Sequence, residues 1–188
     1  MTARMAKIVM AVITIVAVLF SIYLLIGYNK AVAERMAATN EMLVALEEDM
    51  NGLVEDFVQG LSEAEIAKEE ECLAKNIYFE ARNQSTDGQL AVAEVTLNRV
   101  ASTKFPDSIC RVVWQDKQFA WTYDGKSDNP KEKAAWLKAQ ALAKAILNNE
   151  IPLLGLEATH YHAKEILPWW HKYYTKLGSI EDHVFYRM

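Results

Sequence analysis

Residues 8–27 read IVMAVITIVAVLFSIYLLIG, twenty consecutive residues without a charge. As a helix such a run rises ~30 Å, the thickness of bilayer hydrocarbon, so it is long enough to span a membrane. Arg4 and Lys7 stand just before it and a strongly acidic stretch follows. The positive-inside rule then puts the N-terminus in the cytoplasm and everything from Tyr28 onward outside it. The competing reading is a cleaved signal peptide, for which Ala31-Val32-Ala33 supplies an A-x-A site. The run exceeds the roughly 7–15 apolar residues of a signal core, and Lys30 interrupts the approach to that site, so a retained anchor is expected. The density of Ile, Val and Leu makes later exit from the membrane costly.

The chain has 188 residues, enough for one compact domain with a short appendage, and its 52% hydrophobic and 24% charged residues suit a folded core. The net charge of -5 is unevenly spread: two basic residues in 1–28, three basic against eleven acidic in 29–70, and fifteen basic against fourteen acidic in 71–188. A near-neutral globular part lacks the basic face that nucleic-acid binding needs. Three regions follow: a cytoplasmic N-terminus and anchor at 1–28, an acidic helical connector at 29–61, and a globular domain at 62–188.

In the connector, Met36, Leu43, Leu46, Met50, Leu53 and Phe57 fall in an alternating 3/4 register, with Thr39 and Gly60 in its two remaining places. That is a coiled-coil seam of about three and a half heptads, able to pair with a second copy as a homodimer. A helix over 29–61 would reach ~50 Å. The alternative is an amphipathic helix folded back on its own domain. Ser62-x-x-Glu65 is a capping box that starts a new helix. Cys72 and Cys110 are the only cysteines. Outside the cytoplasm such a pair forms a disulfide worth about 3–4 kcal/mol in the chain-entropy model, the alternative being two buried thiols.

Within 62–188 the pattern gives a helix over 62–82, then a helix opened by Thr86 and Gln89 whose apolar residues wrap most of its circumference. Asn129-Pro130 caps a third helix, with Ala135, Ala139, Leu142 and Ile146 on one face. Residues 157–163 and 182–187 alternate like strands, and Pro168-Trp169-Trp170 makes an aromatic turn between them. The fold class is α+β, mostly α.

Glu80 ends a helix beside Tyr78 and Phe79. A carboxyl set among aromatic rings is raised by desolvation and can serve as a general acid near neutral pH, although most glutamates at helix ends are simply solvated. The segments CLAKNIYFEAR, GQLAVAEVTLNRV, FPDSICRVVWQ, QFAW, ATHYHA, PWW and HVFYR together resemble the SleB/CwlJ family of cell wall hydrolases over about 71–187. The resemblance implies a reduced lysozyme-like, lytic-transglycosylase-like fold and peptidoglycan glycan strands as substrate. It also implies Glu80 as the catalytic acid, with Tyr78 and the Gly88-Gln89 turn matching as well. The family's usual Gly-Glu after EAR is Asn83-Gln84 here, which removes a carboxylate close to the acid. Ordinary glycoside hydrolysis uses two carboxyl groups. A lytic transglycosylase needs one, because the sugar's own 6-hydroxyl attacks and leaves a 1,6-anhydro end.

Aromatic faces and amide or hydroxyl groups should line the glycan cleft. The candidates are Tyr78, Gln89, Gln118, Phe119, Trp121, Thr159, His160, Tyr161, His162 and Trp169, each of which could instead be core. No cofactor is expected. Two readings from other classes stand beside the transglycosylase. One is a zinc amidase built on His160-x-His162 with His171 or His183, although no HExxH motif is present. The other is a non-enzymatic wall-binding scaffold. A phage lysis cassette and a cell remodelling its own wall would need the same bond cut. The expected location is the inner (cytoplasmic) membrane, crossed once, with the catalytic domain periplasmic or otherwise extracytoplasmic.

Overall fold

The structure is a computed structural model that describes residues 3–188, with side chains described for residue 20 and from 22 on except 47, 49–51, 53 and 56. Two compact units are present, Met1–Ala45 and Leu46–Met188. The helix α1 (Ala3–Gln59) supplies the described part of the first unit, where every described side chain is exposed, Met36 and Leu43 included. Among the described residues no helix is long and apolar enough to cross a membrane. The expected span at 8–27 lies largely outside them, since the side chains of 8–19 and 21 are not among those described.

In the second unit the last turns of α1 join the domain core, where Val54 is buried and Phe57 and Val58 pack beside it. Phe57 belongs to the expected heptad seam and Val54 does not. At this end the apolar stripe therefore serves the chain's own domain, because a core is within reach of it. Helix α2 (Glu63–Ala81) begins after Ser62, whose hydroxyl accepts the Glu65 N–H while the Glu65 carboxylate accepts the Ser62 N–H at 2.9 Å. These reciprocal bonds satisfy two of the donors that every helix start leaves open.

Leu73, Ala74 and Ile77 are fully buried on α2, which packs against α3 (Thr86–Ala101), α4 (Ile109–Val113) and α5 (Lys133–Leu147). A disulfide between Cys72 and Cys110 ties α2 to α4, with 5.2 Å between the Cα atoms. The cap of α3 is Ser85, one residue before the expected Thr86, because the Ser85 hydroxyl accepts the Gly88 N–H at 3.3 Å. Gly88 to Leu97 are buried without interruption, as expected for a helix apolar on all sides. Helix α5 starts three residues after Pro130, so Asn129-Pro130 stands in the preceding loop and Glu132 takes the cap position.

The small sheet has the order β1-β3-β2, antiparallel throughout, from β1 (His160–Ala163), β2 (Thr175–Ile180) and β3 (His183–Arg187). β2 carries no apolar alternation, is bulged between Lys176 and Gly178, and lies at the sheet edge, which is why its sequence does not read as a strand. Buried Phe185 and Ala158 pack on Ala91 and Val95 of α3 and join sheet to helices. The domain is α+β and mostly helical.

Candidate active site

Three polar side chains on α3 set the position of β1. The Glu94 carboxylate accepts the N–H of Leu154 at 2.8 Å and also that of Leu156. The Asn98 amide donates to the carbonyls of Leu156 and, at 3.0 Å, Ala158. Arg99 Nε donates to the Thr159 carbonyl at 2.8 Å. Residues 154–158 lie outside the sheet pairing, and buried peptide groups need partners, so these side chains take over the work of a neighbouring strand. They also explain why the expected strand at 157–163 shortens to β1.

Strand alternation then turns Tyr161 toward the helices, packed beside His183 and Phe185 with ring centroids 5.0 and 5.7 Å away. Its hydroxyl donates to Glu80 Oε2 at 2.9 Å, in the last turn of α2. Burial pushes the Glu80 carboxyl above the ordinary carboxylate range, while the Tyr161 hydrogen bond and the charge of Arg99 act the other way. Burial and the neighbouring Glu80 hold the Tyr161 phenol well above its usual value, so it remains a donor. Arg99 is itself buried, with its guanidinium 5.3 Å from the centre of the Phe105 ring and 5.1 Å from that of Phe119. Among the described residues its Nη1 has no hydrogen-bond partner. Glu80 thus keeps its proton more readily than a solvated glutamate, and on losing it finds a hydrogen bond and a cation already in place.

On the flank of α2 that carries Tyr78, Phe79 and Arg82 lies a cavity of about 360 Å³, and Glu80 is not among the residues that line it. Phe79 and Trp121 stack at its floor, 4.6 Å apart and 19° from parallel.

With this geometry, a match of the sequence over residues 83–186 to the Cell Wall Hydrolase family is decisive, for it covers more than half of the chain. The chain belongs to the cell wall hydrolase family. A spore cortex-lytic enzyme of Oceanobacillus iheyensis is 37% identical over 84 residues, 43% of this chain and 29% of that protein. The spore cortex-lytic enzyme of Bacillus subtilis is 41% identical over 54 residues, 29% of this chain and 18% of that one. The chain therefore spans less than a third of the length of these curated relatives. Among solved structures it is similar to the catalytic domain of the germination-specific lytic transglycosylase SleB from Bacillus anthracis. There the TM-score is 0.53 and the identity 26%, over 68% of this chain and 98% of that one. The catalytic domain of the Bacillus cereus SleB protein gives a TM-score of 0.51 and 26% identity, over 64% and 91%.

In this member of the cell wall hydrolase family the residues singled out from the sequence fall into separate groups. Tyr161 meets Glu80. Tyr78 is buried, and its hydroxyl accepts the N–H groups of Lys131 and Glu132 at 3.1 and 3.0 Å, so it pins the loop before α5. That tertiary tie displaces the start of α5 from Asn129-Pro130. Gln89 is buried and donates to the Gln84 carbonyl at 3.2 Å, bracing the turn after the acid. Trp121 Nε1 donates to Asn76 Oδ1 at 3.3 Å, and Asn76 Nδ2 donates to the Thr96 hydroxyl at 3.0 Å. Phe119 is core beneath Arg99, and Gln118 is half-buried at the preceding position.

His160 and His162 alternate with Tyr161 and so enter an aromatic cluster of Trp170, Tyr174 and Tyr186. Burial, helped by Arg99, pushes His160 down to about 4, so it is neutral at neutral pH. Thr159 reaches His160 Nδ1 at 3.0 Å, and Trp169 is 76% exposed beside Tyr173, in the short helical turn Trp169–Tyr173. His171 contacts the Pro168 carbonyl at 2.7 Å, and His183 lies by Tyr161. Among the described residues no three His, Cys, Asp or Glu side chains come together as a metal set. At Gln84, one of the two positions where the resemblance led to the expectation of a different residue, the amide donates to Asp182 Oδ2 at 3.0 Å and accepts the Asp182 N–H. A carboxylate there would face another carboxylate.

Sequence reasoning missed Glu94, Asn98 and Arg99. The available signal was the presence of polar residues on a helix whose apolar residues wrap most of its circumference.

Proposed function

We propose that this chain cleaves peptidoglycan glycan strands as a lytic transglycosylase, with Glu80 as both acid and base. Membership of the cell wall hydrolase family supports peptidoglycan as the substrate. Likeness to nearly the whole of a lytic transglycosylase catalytic domain supports the reaction type. The observation that carries the single-glutamate reading is the company Glu80 keeps. Among the described residues the groups acting on its carboxyl are Tyr161 and Arg99, a donor and a cation, and neither is a second carboxylate.

The cycle follows from those groups. Protonated Glu80 gives its proton to the leaving oxygen as the bond from muramoyl C1 to that oxygen breaks. The carboxylate so formed is held by the Tyr161 hydroxyl and the field of Arg99. The 6-hydroxyl of the same muramoyl residue then bonds to C1, and its proton returns to Glu80. Atoms balance without water: a 1,6-anhydro end on one fragment, a free 4-hydroxyl on the other.

The proposal includes the division into anchor (1–28), connector (29–61) and catalytic domain (62–188). It places the enzyme on the outer face of the inner membrane, in the periplasm, through the uncharged run at 8–27. Met36 and Leu43, exposed in the single chain, leave the upper part of the connector seam open to a second copy.

The test is mass spectrometry of the muropeptides that the full chain, in detergent, releases from purified sacculi. Anhydromuramoyl ends are expected. Reducing muramoyl ends would indicate a hydrolase and free peptides an amidase. Absence of any release would leave a wall-binding scaffold, and each of these three outcomes overturns the proposal.

A further inference from the structure

Glu181 and Asp182 make the tight turn between β2 and β3, and Glu181 takes φ 45° there. That left-handed region disfavours a residue with a bulky side chain, and glycine enters it freely. A strained residue persists only where its surroundings over-determine it. Here they do. Glu181 Oε2 accepts the Ser85 N–H at 2.7 Å, at the cap of α3. Beside it, the two hydrogen bonds between Gln84 and Asp182 hold the same turn. Gly88 leaves the room for this approach: a Cβ on it would stand 3.0 Å from Glu181 Oε2 and 2.8 Å from Gln84 Cβ.

The turn is thus closed on the loop that directly follows the acid, and from it two contacts reach Tyr161. The Asp182 carbonyl accepts the Lys164 N–H at 2.8 Å, which carries the pairing of β1 with β3 one step further. His183, the next residue, sets its ring edge-on against Tyr161 at 80°. Burial, helped by His162, holds His183 below its usual value against the pull of Asp182, Glu165 and Glu181, so it packs there as a neutral ring. The contacts form a closed circuit: Glu80, residues 84–85, residues 181–182, β1, Tyr161, and back to Glu80 through the phenol hydrogen bond. Hydrogen bonds weaken steeply as their geometry is lost, and small displacements at a reacting group are costly.

We propose that Glu181 is a positioning residue for strand cleavage: its carboxylate, seated on the Ser85 N–H, fastens the β2–β3 turn to the loop after the acid and so keeps the Tyr161 hydroxyl on Glu80. The proposal rests on Glu80 being the strand-cleaving acid.

The test is the pH profile of kcat/KM for anhydromuramoyl release by the full chain in detergent. In Glu181→Ala the phenol loses part of its hold on the acid. The alkaline limb should then move upward by about half a pH unit, part of the roughly one unit expected when Tyr161→Phe removes the hydroxyl outright. Loss of a negative charge acting through space would instead favour the ionised carboxyl and move the limb downward, so the sign separates the two causes. In a Tyr161→Phe background, Glu181→Ala should add no further shift. Glu181→Gln keeps an oxygen for the Ser85 N–H and should restore the wild-type limb. Glu181→Gly relieves the backbone while removing the carboxylate. It should melt no lower than Glu181→Ala and still show the upward shift, which a merely structural role would not produce. An unmoved or downward limb in the Ala and Gly variants overturns the positioning role while strand cleavage stands. So does a shift in Glu181→Gln as large as in Glu181→Ala, or one that survives in the Tyr161→Phe background. A wild type that releases no anhydromuramoyl ends overturns the reading of Glu80 and the role of Glu181 with it.

Discussion

At Glu80 burial raises the proton affinity, and Tyr161 and Arg99 lower it. Removing the Tyr161 hydroxyl with Tyr161→Phe takes away a hydrogen bond that favours the ionised carboxylate, so the carboxyl pKa should rise. The acid must carry its proton to act, so activity is lost as pH climbs through that pKa. The alkaline limb of kcat/KM should therefore move upward by roughly one pH unit, the equivalent of a hydrogen bond of about 1.4 kcal/mol. The pH–rate profile of anhydromuramoyl release reads this directly, and an unmoved limb would show that the phenol does not act on the acid. Glu80 and Tyr161 were legible because they sit in motifs that resemble a family. Arg99 was not, since nothing in TLNRV tells a reader that the guanidinium is buried between Phe105 and Phe119. Burial of that kind is a tertiary property.

The polar face of α3 makes a second measurable claim. Burial pushes the Glu94 carboxyl up to about 7, against the pull of the two N–H groups of Leu154 and Leu156. A folded-state value above the unfolded one means that the stabilisation is complete below about pH 4 and is lost as pH rises through about 7, a difference of roughly 3 kcal/mol. Glu94→Gln removes the titration and one acceptor oxygen. Urea unfolding should show the variant less stable by about 1–3 kcal/mol near pH 5, with a flatter dependence up to pH 7.5. A slope as steep as that of the wild type would mean that another group titrates. Local signals served well where they act alone. The capping box at Ser62 is present, and the α3 start was misplaced by one residue because Ser85 and Thr86 are both able caps. They failed where distant parts intervene: Tyr78 draws in the loop before α5, and β2 forms only because β3 offers it an edge.

Over the whole molecule, the sequence carried the fold class and the family resemblance, while the assembly of the site came from packing. The disulfide encloses a 38-residue separation, and its reduction should lower unfolding free energy by about 4 kcal/mol in the chain-entropy model. Unfolding curves with and without reductant check this, and coincident curves would count against it. If residues 8–27 span a bilayer, the full chain should remain in the membrane pellet after an alkaline carbonate wash; release into the supernatant would remove the anchor from the proposal. The most direct measurement is the release of 1,6-anhydromuramoyl products from sacculi by Glu80→Gln beside the wild type. Loss of at least about 10²–10⁴-fold, with an unchanged melting temperature, is the expected result. A folded variant that releases them at the wild-type rate would contradict the assignment of Glu80 as the acid and base.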